Sequence, residues 1–150
     1  MTGYYEYDLK IYPRKLWITW AITEEALNNN FEFSYGKDRH LEIENDYNGV
    51  TFGEMQLKET LPNGRHLLGE LVIFYSANTM TIENIVHEAS HVTDCIEDII
   101  GIKHGGEPSA YLIQYIVKCI NDAKCGGKNA DRIVLGNDIP VVTNIIKNNN

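Results

Sequence analysis

The chain has 150 residues, 43% hydrophobic and 23% charged, with 13 Lys+Arg against 21 Asp+Glu and a net charge of −8. That length suits a single domain with a self-sufficient core. The acidic balance argues against a surface that tracks nucleic-acid phosphates or anionic lipid. No run of apolar residues is long enough for a membrane-spanning helix.

The first residues lack a basic segment followed by an apolar one, so no secretory signal is expected and the chain is placed in the cytoplasm. Three cysteines, Cys95, Cys119 and Cys125, form no CxxC pair and are read as free thiols of a reducing compartment.

Period-two alternation over Tyr5–Ile11 and an aromatic, β-branched run over Lys15–Ala21 predict strands on either side of Pro13. Trp17, Trp20 and the cluster Tyr4, Tyr5, Tyr7 and Tyr12 are read as packing residues. Thr23 before Glu24-Glu25 is an N-cap with an acidic first turn, so a short helix should run to about Asn29. The polar segment 34–48 carries no clear pattern. Gly49–Met55 reads as a strand, Pro62-Asn63-Gly64 as a turn, and the almost continuously apolar Gly69–Tyr75 as a strand buried on both faces.

A helix capped by Thr81 should end at Gly101, with Ile82, Ile85, Ala89, Val92, Ile96 and Ile99 forming one core-facing stripe. A second helix should open at Pro108 and close at Cys125-Gly126-Gly127. Arg132–Leu135 and Val141–Ile146 fit strand or helix. A single domain over 1–147 and a disordered tail at 148–150 complete the expectation.

Within the first long helix lies His87-Glu88-Ala89-Ser90-His91, the pattern H-E-x-x-H. Residues four apart share a helix face, so both imidazoles can reach one cation. Chance alone gives roughly 0.014 such matches in a chain of this composition, which makes accident a poor explanation. The helical wheel also turns both histidines away from the apolar stripe. Two histidines do not complete a zinc site, and a third protein ligand is needed. Asp94 and Glu97 stand where a metzincin carries Gly and His, which excludes that class. Glu107 at the start of the second helix is the leading candidate, with His104, Asp94 and Asp98 as alternatives. Tyr111 and Tyr115 are candidates to stabilise an oxyanion, Tyr111 the preferred one.

The stretch Gly69–Ile120, with GELVIFYS, NTMTIENIVHEASHVTD and GEPSAYLIQYI, resembles small zinc-metallopeptidase-like proteins encoded by tailed bacteriophages. More broadly it is similar to the gluzincin type of zincin, in which a glutamate on the next helix completes H-E-x-x-H. The resemblance implies an α+β zincin-like fold, a small mixed sheet packed on the H-E-x-x-H helix and a second ligand-bearing helix. It implies one Zn2+ per chain on His87, His91 and Glu107, Glu88 as general base, and the strand near Gly49–Met55 as the sheet edge along the cleft. The expected activity is hydrolysis of a peptide bond in a peptide or protein substrate, in the host bacterial cytoplasm. The alternative is a zincin-fold structural or interaction module with its metal kept for stability or lost. The discriminating residue is Glu88, which only the enzyme needs.

Overall fold

The computed structural model describes residues 3–36, 38–137 and 139–143. In chain order the strands are β1 (Tyr4–Asp8), β2 (Lys15–Trp20), β3 (Phe31–Phe33), β4 (Gly49–Thr60), β5 (His66–Phe74), β6 (Arg132–Asn137) and β7 (Ile139–Thr143). Three helices, α1 (Glu24–Asn30), α2 (Ile82–Ile100) and α3 (Gly106–Lys124), interrupt them. The fold is mixed α+β: one sheet in the order β3-β4-β5-β2-β1-β6-β7, with β2 and β5 parallel and the other neighbours antiparallel.

Alternation along the central strands builds two cores. Tyr5, Tyr7, Leu16, Ile18, Val72 and Phe74 face α2 and α3 on one side. Tyr4, Trp17, Leu71 and Ile73 meet α1 and Phe31 on the other. Each fully buried Leu, Ile or Phe contributes about 1.5–3 kcal/mol, so the doubly covered β5 anchors the molecule. Trp17 is fully buried, while Trp20 is half-buried and stacks on Tyr5.

Local signals set the element ends. The Thr23 hydroxyl accepts from the Ala26 amide at 3.2 Å, and that of Thr81 from the Asn84 amide at 3.3 Å. Gly101 closes α2 in the left-handed region at φ 73°, where glycine alone carries no steric cost.

Several bounds differ from the sequence expectation. The β1 strand stops at Asp8 instead of Ile11, because the chain turns through Leu9–Arg14 with Lys10 at φ 62°. The second long helix opens at Gly106, two residues before Pro108. Ile82 and Ile99 are 79% and 36% exposed, and of the expected stripe only Ile85, Ala89, Val92 and Ile96 are buried. Arg132–Leu135 lies in β6 and Val141–Thr143 in β7; Asn144–Ile146 and the tail at 148–150 fall outside the described residues.

The described residues of segment 34–48 are irregular but pinned by α1. Asn28 donates to the Leu41 carbonyl and accepts from its amide, and Glu24 accepts from the Ile43 amide, with Leu41 buried. The β3 strand covers only Met55–Leu57 of β4, so Gly49–Phe52 has no partner strand on its outer side among the described residues. A bulge at Gly53-Glu54 separates these two stretches of β4.

Candidate functional site

The H-E-x-x-H motif lies in the middle of α2. His87 and His91 are exposed, and their Nε2 atoms approach to 3.1 Å with the rings nearly perpendicular. Tetrahedral zinc with Zn–N of about 2.0–2.1 Å sets its ligand nitrogens about 3.3 Å apart. The donor type and spacing of this pair therefore fit a shared divalent cation.

Glu88, about 100° around the helix from His87 and about 60° from His91, turns towards the sheet. It is buried at 4% exposure, and the Thr51 hydroxyl donates to its Oε2 at 2.6 Å. Gly49 makes room for it: a Cβ there would stand 3.0 Å from Glu88 Cγ. The glutamate thus rests on the stretch of β4 that lacks an outer partner strand. Nothing in the sequence marks Gly49 or Thr51 as its neighbours, because the contact arises only where α2 crosses β4.

A groove of about 410 Å³ begins at Thr51 and runs along α2, past Phe33, Phe52 and Glu54 on one wall and Cys95 and Ile99 on the other. Gly53 lets the bulge approach α2, since a Cβ would fall 2.8 Å from Cys95 Sγ. Burial, and then the negative charge of Glu70, push the Cys95 thiol up.

Glu107 lies elsewhere. The antiparallel pair α2–α3 is held where Ser109 donates to Glu97 and where Lys124 donates to the Met80 carbonyl. This register sets Glu107 near the level of Glu97, about 15 Å along the axis from His87 at 1.5 Å per residue. Among the described residues, His87, His91 and Glu107 do not form a set whose ligand atoms all fall within 4.8 Å.

The set that does so is Asp94, Glu97 and His104, so two of the alternative third ligands, Asp94 and His104, meet at the end of α2 together with Glu97, which the sequence did not single out as a ligand. His104 Nδ1 lies 2.6 Å from Glu97 and 3.5 Å from Asp94, and its Nε2 lies 2.7 Å from Asp98. Hydrogen bonds that its ring N–H groups donate to Asp98 and then to Glu97 hold its pKa above the ordinary histidine value. Donor types and spacing here could also hold a metal ion, in place of the hydrogen bonds that His104 makes to Glu97 and Asp98.

Tyr111 is 66% exposed on α3. Tyr115 donates to the Asp8 carbonyl at 2.8 Å, bracing the β1–β2 turn, and desolvation raises its pKa. Cys95, Cys119 and Cys125 are free and separately placed. No described helix is long and apolar enough to cross a membrane. Comparison with protein-family models, curated proteins and solved structures gives no match.

Proposed function

We propose that the chain is a zinc-dependent peptidase of the zincin type, binding one zinc through His87 and His91 with Glu88 as general base. The observation that carries this reading is the pair of Nε2 atoms 3.1 Å apart on α2, with a buried glutamate beside them on the open stretch of β4. Zinc bound there would supply Lewis acidity and bring the pKa of water towards about 7.

Glu88 takes a proton from the attacking water and delivers it to the leaving amine. Thr51 holds that carboxylate in one orientation. The unpaired amides and carbonyls of Gly49–Phe52 offer an extended peptide a strand to join, and the groove beyond Thr51 receives a side chain. Exposed Tyr111 is the oxyanion donor of this proposal. Phage origin and a bacterial cytoplasmic setting belong to the same reading.

A second reading, a zincin-like module without catalysis, is favoured by the position of Glu107, since two imidazoles alone hold zinc weakly. Metal analysis and a peptide-library cleavage assay separate the two. The enzyme reading expects about one zinc per chain, lost in His91→Ala, and cleavage that disappears in Glu88→Gln while zinc stays. Zinc retention in Glu107→Ala would show the histidine pair acting without it. Cleavage unaffected by Glu88→Gln would rule out Glu88 as the base, and zinc without any cleavage would establish the module.

A further inference from the structure

At the end of the sheet where β2 and β5 begin there is a second pocket, of about 420 Å³, which shares no lining residue with the groove on α2. These two strands are parallel, so the turns that precede them come side by side. Lys10, Arg14, Lys15, Arg65 and His66 line it against a single carboxylate, Asp8. The four Lys and Arg side chains among these are a concentration of cations in a chain of net charge −8.

Pairing leaves part of this charge unspent. Arg14 is committed to buried Glu70 at 2.6 Å, and Asp8 lies 3.8 Å from the Lys15 ammonium. The Lys10 ammonium lies 6.0 Å from the Tyr115 ring centre, and neither it nor the Arg65 guanidinium pairs with a carboxylate among the described residues. Asp131 accepts from the Asp8 amide but does not line the pocket. Lys10, Lys15 and Arg65 against Asp8 leave two positive charges facing one concavity. His66 Nδ1 donates to the Leu57 carbonyl at 2.6 Å, so this ring is held by the sheet and is not counted among the cations. Tyr12, Pro13, Leu67 and Leu68 add an apolar wall.

We propose that this pocket binds the dianionic phosphate group of a small organic phosphate monoester. Two unspent cations match a charge of −2 better than the −1 of a carboxylate. The guanidinium fork suits phosphate oxygens, and the apolar wall accepts the organic part. Clustered cations in a concave site also focus the field on an incoming anion. The site is independent of any metal on α2.

The test is a residue-resolved NMR titration of the full chain with phenyl phosphate, inorganic phosphate and acetate at low and high salt. Phenyl phosphate should bind most tightly and acetate most weakly, with perturbations confined to residues 8–15 and 65–68 and affinity falling as salt rises. Arg65→Ala or Lys10→Gln should weaken phenyl phosphate by about tenfold, while exposed Lys118→Ala on α3 leaves it unchanged. Acetate binding as tightly as phosphate, perturbations spread over surface lysines in general, or wild-type affinity in both Arg65→Ala and Lys10→Gln would each overturn the assignment. Thermal melts confirm that each variant is folded.

Discussion

A carboxylate at 4% exposure needs hydrogen bonds to offset its lost hydration, and for Glu88 the Thr51 hydroxyl supplies one at 2.6 Å. Thr51→Val keeps the shape of the side chain and removes the donor, leaving Oε2 underpaired against the sheet. The expected cost is about 1–3 kcal/mol, read as a lower urea midpoint at unchanged slope, with Thr51→Ser restoring most of it. His87 and His91 stand in contrast: they are exposed, and replacing either by Ala should cost little stability while removing one of the two imidazoles proposed to bind zinc. That separation of effects is what a site built on a stable helix should show.

The pairing of α2 with α3 depends on its closed end. His104, in the connecting turn, bonds to Glu97 and Asp98, and Ser109 of α3 reaches the same Glu97. These partners raise the histidine pKa above 6.5, so the charged form is favoured in the folded state. A raised pKa gives stability that is fully present below the unfolded value of about 6.5 and is lost as pH rises through the folded one. His104→Gln should therefore lower Tm below that pH, and the gap to wild type should narrow as pH rises above it. Thermal melts across that range check the expectation; a gap that widens with pH would show that the imidazolium does not stabilise this turn.

Across the whole molecule the buried Arg14–Glu70 pair joins the turn after β1 to the middle of the sheet. Burial pushes Glu70 up to about 7 despite Arg14, and its Oε2 has no hydrogen-bond partner among the described residues. A carboxyl whose folded pKa exceeds its unfolded 4.5 binds more protons when folded. Stability from this group is thus present below about 4.5 and is lost as pH rises to about 7. Glu70→Gln should flatten that part of the pH–Tm curve; an unchanged slope would mean that Glu70 is ionised throughout.

Much of this architecture can be read along the chain because short-range physics sets it. Thr23, Thr81 and Gly101 cap helices through bonds within a few residues, and the apolar Leu71–Phe74 run requires cover on both faces. The i, i+4 spacing of His87 and His91 likewise guarantees that two imidazoles meet, since both ride on one helix. What lies between elements follows from their crossing and register. Thr51 and Gly49 become partners of Glu88 because α2 crosses β4, and Glu107 is set near the level of Glu97, away from the histidine pair, because the helical pair closes through Ser109 and His104. The parallel pairing of β2 with β5 likewise assembles the basic pocket from two turns about fifty residues apart. Local propensity determined the helices, the central strands and the histidine pair; long-range packing decided which groups surround them, because a contact across the fold has no signature in the spacing of neighbours along the chain.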